Sequence, residues 1–187
     1  MVLTIEKYGA PALRQKGARI ESVTPAIRKL IADMLETMHA HKGIGLGAQQ
    51  VGVPVQLAVI DVCGATDRPS SLELNGAPAD VSQFMPLVLI NPQITPVGAP
   101  VTGPEGCLSF PEIYADISRP EVVDVTALNA QGEPIRFRCG GLLARAVQHE
   151  TDHLHGILFI DRMTTEVKAQ LRPDLDLLRA ETKAGEK

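Results

Sequence analysis

Apolar positions recur along this chain with two periods, and each period predicts a different element. Over residues 25–41, PAIRKLIADMLETMHAH, the residues Ile27, Leu30, Ile31, Met34, Leu35 and Met38 fall at steps of three and one. That stripe predicts an amphipathic helix with one buried face. Thr24 stands before it as an N-cap, and Pro25 suits the first turn, where its missing N–H leaves no bond unmade. The run VPVQLAVIDV is β-branched and nearly continuous, as in a buried strand, and PLVLINP at 86–92 reads as another short strand. Over 121–139, EVVDVTAL alternates Val123, Val125 and Ala127 with polar neighbours, NAQGEP supplies turn residues, and IRFRC alternates again. This is the pattern of a hairpin. Residues 63–86, polar and rich in Gly, Pro, Ser and Asp, read as a loop excursion.

A second helix is predicted at roughly 141–155. Leu142, Leu143, Ala144, Ala146 and Val147 make it apolar nearly all round, which is the mark of a buried rod. The polar tail, 165–187, reads as helical with a break or kink at Pro173. No internal repeat is present. Short mixed or antiparallel strands around a buried helix, with an amphipathic N-terminal helix and a helical tail, define an α+β class, and 187 residues fit a single domain spanning 1–187.

Composition narrows the function. Hydrophobic residues make up 44% of the chain but aromatics only 3%, with no Trp, so the core is aliphatic. A net charge of −4 without a basic cluster argues against nucleic acid as a partner, and the scarcity of aromatics argues against a base-stacking platform. No apolar run approaches the ~20 residues of a membrane span. The opening MVLTIEKYGAPALRQK lacks the order of a signal peptide, so a soluble, cytoplasmic protein is expected. Three cysteines, Cys63, Cys107 and Cys139, form no CxxC pair and fit a reducing compartment.

The chemistry concentrates in VQHETDHLHG, 147–156. His149 and His153 are four apart, so a helix presents both imidazoles on one face, close enough to clasp one metal ion. Glu150 projects about 100° around the axis, where it reaches a water on the metal without replacing it. A buried glutamate beside two histidines on an apolar rod is costly unless the charge has a purpose. An open catalytic site needs a third protein ligand. The extended zinc-peptidase pattern HExxHxxGxxH has its glycine in Gly156, but its third histidine falls on Phe159, and Glu166 and Glu181 are poor substitutes. Cys107, in the Gly- and Pro-flanked GPEGCLSFPE, is the better ligand. Cys63 and Cys139 read as buried small hydrophobes. Asp152 reads as a group that supports a ligand or pairs with a cation such as Arg119.

Three stretches, GIGLGAQQVG (43–52), EGCLS (105–109) and QHETDH (148–153), resemble in order and spacing the signature motifs of peptide deformylases, and the likeness spans roughly residues 3–165. The resemblance implies a peptide deformylase-like catalytic domain that removes the formyl group from N-formylmethionine on new bacterial-type polypeptides and releases formate. It implies Fe²⁺, replaceable by Ni²⁺, Co²⁺ or Zn²⁺, on Cys107, His149 and His153. Glu150 is then the general acid/base, and Gln50 with the backbone N–H of Leu108 forms the oxyanion hole. Gly43, Ile44 and Gly45 let an extended peptide lie alongside, while Ile44, Leu142, Arg145 and His149 form the methionine pocket. The stem of Arg145 lines that pocket and its head reaches solvent. Gly47, where the family usually has Ala, and Tyr114 depart from its pattern. A ribosome contact through the tail follows only by analogy. The readings set against this one are a non-catalytic, metal-stabilised peptide-binding relative, which has no use for Glu150 and Gln50, and an HExxH zinc peptidase.

Overall fold

Thr24 caps the first helix: its hydroxyl oxygen accepts from the Ile27 amide at 3.3 Å, and α1 runs Pro25–Ala40. The structure, a computed structural model, describes residues 1–185. After α1 come strands β1 (Gly45–Gly47), β2 (Leu57–Ile60), β3 (Ser70–Leu74) and β4 (Ala77–Pro78), then the short helix α2 (Val81–Phe84). Strands β5 (Leu87–Pro96), β6 (Pro100–Cys107), β7 (Phe110–Pro120), β8 (Val122–Leu128) and β9 (Pro134–Gly140) follow. Helices α3 (Gly141–Leu154) and α4 (Thr165–Gly185) complete the order.

Seven strands form one antiparallel sheet in the order β1-β2-β5-β8-β9-β3-β4, and β6 and β7 form a second sheet of their own. Period-two geometry explains the continuous apolar runs in β2 and β5. Leu57, Val59, Val88 and Ile90 pack with Ile31, Met34 and Met38 of α1. Ile60, Leu87 and Leu89 pack on the other face with Leu142, Leu143, Ala146 and Val147 of α3. Both faces of these strands are therefore covered, and α3 is enclosed: every residue from Leu142 to Leu154 is buried. This is the α+β arrangement expected from the strand and helix patterns, and the 121–139 hairpin is β8 with β9.

Three expectations change. The 63–86 excursion contains β3, β4 and α2, and β3 pairs with β9 through Ser71–Gly140, Leu72–Cys139 and Glu73–Arg138. Backbone pairing and the partial burial of Leu74, Ala79, Val81, Phe84 and Met85 hold it, with only Leu72 fully buried, so side-chain pattern announced little. Pro173 does not break the tail, because α4 continues through it, and the last two residues of the expected 165–187 tail lie outside those described. Cys63 is exposed rather than buried, since it follows β2 on a turn where its amide donates to Asp61. Cys139 is buried, and burial pushes its thiol up to about 12. Among the described residues no helix is long and apolar enough to cross a membrane.

Candidate active site

Helix α3 ends where its chemistry ends. The Ile157 amide donates to the Asp152 carbonyl at 3.0 Å and the Gly156 amide to the His153 carbonyl at 3.1 Å, the paired bonds of a Schellman stop. Gly156 sits at φ +73°, and a β-carbon there would lie 2.6 Å from the Arg14 carbonyl oxygen. The glycine that suggested a longer zinc-peptidase motif is thus accounted for by helix termination. Phe159 is buried edge-on against Phe110.

His149, Glu150 and His153 project from this helix, and Cys107 arrives at the end of β6. Ligand atoms of Cys107, His149 and His153 all lie within 4.8 Å of one another, with Cys107 Sγ 3.4 Å from His153 Nε2. Gln50 comes from a 3₁₀ turn, Ala48–Val51, directly after β1. Its Oε1 accepts from the Gly47 amide at 2.8 Å, and its Nε2 stands 3.2 Å from Ser109 Oγ and 3.4 Å from Cys107 Sγ. A cavity of about 590 Å³ opens over this group. Gly43, Ile44, Gly45, Leu108, Leu142 and Arg145 line it together with Gln50, Cys107, His149 and Glu150, while His153 lies behind. Tyr114 stands exposed at its rim.

Glu105, to which the motif reading assigns no role, organises the back of the site. Its Oε2 accepts from His149 Nδ1 at 2.9 Å, and its carboxylate meets Arg119 Nε at 2.5 Å and Arg145 Nη1 at 2.9 Å. Arg119 Nη1 continues to Asp152 Oδ2 at 2.8 Å, the pairing anticipated for Asp152, and Arg162 holds the same carboxylate with two bonds of 2.6 Å. The signal for Glu105 was its place: two residues before Cys107, inside the EGCLS stretch. Arg145 is corrected in one respect. Its head does not reach solvent but is buried against Glu105 and the carbonyls of Ile117 and Val101.

Burial raises Glu150 to about 7, the Coulombic influence of His149 notwithstanding. Burial holds His153 well below the usual imidazole range, so it is neutral. At His149 burial acts the same way but is outweighed by hydrogen bonds to Cys107 and Glu105, which hold it above that range. Glu105 resists the upward pull of burial because His149 and Arg119 stabilise its charge, and it stays well below the ordinary carboxylate value. Among the described residues, Glu150 Oε2 and His153 Nδ1 are buried without a hydrogen-bond partner.

One thiol and two imidazoles suit a divalent transition ion, with fewer than four protein donors leaving room for water or substrate. A buried carboxylate with a free oxygen beside such a set defines a metal-dependent hydrolase. The chain belongs to the peptide deformylase family: the sequence profile described as Polypeptide deformylase matches residues 2–169. The chain is 45% identical over 179 residues to the peptide deformylase of Methylacidiphilum infernorum, covering 96% of this chain and 94% of that one. It is 43% identical over 189 residues to that of Opitutus terrae, covering 100% and 98%. The Arabidopsis thaliana enzyme 1B in complex with an inhibitor has a similar structure (TM-score 0.81, 38% identity, 98% and 94% covered). So does the Synechococcus elongatus enzyme in complex with actinonin (TM-score 0.75, 37% identity, 97% and 86% covered).

Proposed function

We propose that this deformylase hydrolyses the N-formyl group of formylmethionyl nascent polypeptides in a bacterial-type cytoplasm, with Fe²⁺ on Cys107, His149 and His153. Ni²⁺, Co²⁺ or Zn²⁺ are the substitutes the same donor set accepts. A bound divalent ion supplies a positive charge that acidifies water and polarises the formyl carbonyl. Glu150, its pKa raised by burial to about 7, takes the proton from the attacking water through its unpartnered Oε2. As the formyl carbon becomes tetrahedral, negative charge collects on its oxygen. The Gln50 amide and the Leu108 N–H are the donors assigned to it, and Gln50 is held in advance by Gly47 and Ser109. Glu150 then returns the proton to the departing amine, so the C–N bond breaks without expelling an amide anion. Formate and a free methionyl amine result.

The peptide enters as an added strand. β1 is the edge of the large sheet, paired with β2 on one side only, and Gly43, Ile44 and Gly45 lie along the cavity beside it. Leu142 and Ile44 supply apolar walls for the methionine side chain, with the aliphatic stem of Arg145 next to them.

The observation that carries this reading is the convergence of Cys107 on the His149–His153 pair beside a buried carboxylate oxygen that nothing in the described protein satisfies. Anaerobic purification, metal analysis and formate release from a formyl-Met peptide test it. Glu150→Ala should abolish turnover with metal still bound. Robust activity and unchanged metal content in Cys107→Ala would overturn the ligand assignment.

A further inference from the structure

We propose that Arg145 is a positioning residue for the metal centre, fastening the β6–β7 hairpin that carries Cys107 to the helix that carries His149 and His153. The inference rests on the ligand set of the preceding section. Arg145 stands one helical turn before His149 on α3. Its guanidinium donates to three acceptors, all on the hairpin: Nη1 to Glu105 Oε1 at 2.9 Å and to the Ile117 carbonyl at 2.8 Å, Nη2 to the Val101 carbonyl at 2.8 Å. Val101 and Glu105 belong to β6 and Ile117 to β7, so one side chain grips both strands.

The hairpin is a sheet of its own, separate from the seven strands on which α3 lies. No backbone ladder runs between α3 and the hairpin, since the backbone groups of a helix interior bond within the helix. Side chains must fix one against the other: Arg145 and Arg119 cross with their charges, His149 crosses to Glu105, and Gln148 donates to the Pro120 carbonyl. Arg145 acts on both halves of the ligand set. Through the two carbonyls it fixes the path of the strands that end at Cys107. Through Glu105, whose other oxygen bonds His149 Nδ1, it fixes the orientation of that ring and leaves Nε2 as the nitrogen available to an ion. Gly103 makes room for this arrangement, because a β-carbon there would stand 3.3 Å from Arg145 Nη2. A lysine cannot replace the fork, since one ammonium on a flexible stem does not span three fixed acceptors in a plane.

The competing role is a direct substrate contact, which a pocket-lining arginine would suggest. Cobalt titration of the metal-free protein separates the two, comparing wild type with Arg145→Met, Arg145→Lys and Cys107→Ser. In Arg145→Met, Co²⁺ affinity should fall about 10–100-fold, the usual cost of losing a group that supports a ligand. The thiolate-to-cobalt absorption should shift or weaken together with the affinity. Arg145→Lys should not restore affinity. Wild-type cobalt affinity and spectrum in Arg145→Met, even with a lower melting temperature, would overturn the proposal, as would an effect confined to KM. Should Arg145→Met not fold, Gly103→Val drives a branched side chain into the guanidinium's place. Weakened cobalt binding there supports the proposal and unchanged binding refutes it. A wild-type cobalt complex with no thiolate band, unaffected by Cys107→Ser, would remove the ligand assignment and this proposal together. A normal wild-type band that persists in Arg145→Met removes this proposal alone.

Discussion

Strand β1 lies so close to Glu150 that a β-carbon on Gly45 would meet Oε1 at 2.3 Å, Cδ at 2.7 Å and Cγ at 2.8 Å. The whole carboxylate would have to move, not merely its tip. The glycine read from sequence as a place for a peptide to approach is therefore also the space in which the Glu150 carboxylate stands. Gly45→Ala should displace Glu150 while leaving Cys107, His149 and His153 untouched. A misplacement of about 1 Å at a reacting group costs on the order of 10²-fold, and a loss of that size in kcat is expected with full metal content. Steady-state kinetics beside metal analysis decide it, and a kcat within a few-fold of wild type would show that Glu150 has another productive position.

Gln50 cannot turn its amide over without loss. Its Oε1 is committed to the Gly47 amide at 2.8 Å, which points Nε2 at Ser109 and Cys107. Gln50→Ala should lower kcat about 10²–10³-fold, the scale of one missing oxyanion donor, with KM and metal content little changed. Gln50→Glu keeps the shape but offers an acceptor where a donor is needed, and should be no better than the alanine variant. Activity retained in Gln50→Glu would show that Nε2 donates nothing to the developing alkoxide.

What could be read in advance follows from the range of the interactions. The relation of His149, Glu150 and His153 is local, set by 3.6 residues per turn, and is legible in five letters. The alternation of Val123, Val125 and Ala127 is equally local, and the 121–139 hairpin followed from it. The β6–β7 hairpin was not announced, because β6 holds Pro100, Gly103, Pro104 and Gly106 and has no apolar alternation. Nor was β7 evident, although Ile113, Ala115 and Ile117 alternate inward, because the next inward residue is Arg119, a type that normally marks the surface. That arginine is tolerated inside only because Glu105 and Asp152 come from other elements to meet it. Arg145 misled for the same reason: its burial depends on two carbonyls and a carboxylate supplied by a hairpin far away in sequence.

Asp152 neutralises two guanidinium groups at once, Arg119 at 2.8 Å and Arg162 at 2.6 Å. Arg119 is buried and keeps only Glu105 if Asp152 is removed. Breaking a buried pair from one side costs about 3–5 kcal/mol, and Asp152→Ala should fall toward the lower end of that range because one counter-charge remains. Denaturant unfolding of metal-free wild type and variant gives the difference directly. A loss below 1 kcal/mol would mean that solvent reaches Arg119 in the variant and replaces the carboxylate.

The turn that follows α3 is locked by a second ion pair whose dependence on pH has a definite sign. Arg14 Nη1 and Nη2 reach Asp161 Oδ2 and Oδ1 at 2.5 and 3.1 Å, and the Leu158 amide donates to Oδ2 at 2.9 Å. Burial raises the Asp161 pKa, but Arg14 and the Leu158 N–H outweigh it, so the folded value lies below the ordinary one. The unfolded chain then binds the proton more readily, with a pKa of about 3.9. The stabilisation is accordingly complete above that value and disappears as pH falls through the lower, folded value. Asp161→Asn should melt at a lower temperature than wild type at neutral pH, with the difference constant down to about pH 5 and shrinking below about pH 4. Paired thermal melts of the metal-free proteins from neutral to acidic pH measure it, with metal removed so that release of the ion does not mask the titration. A gap that stayed the same at low pH would assign the loss to the Leu158 cap or to packing, not to the charge of Asp161.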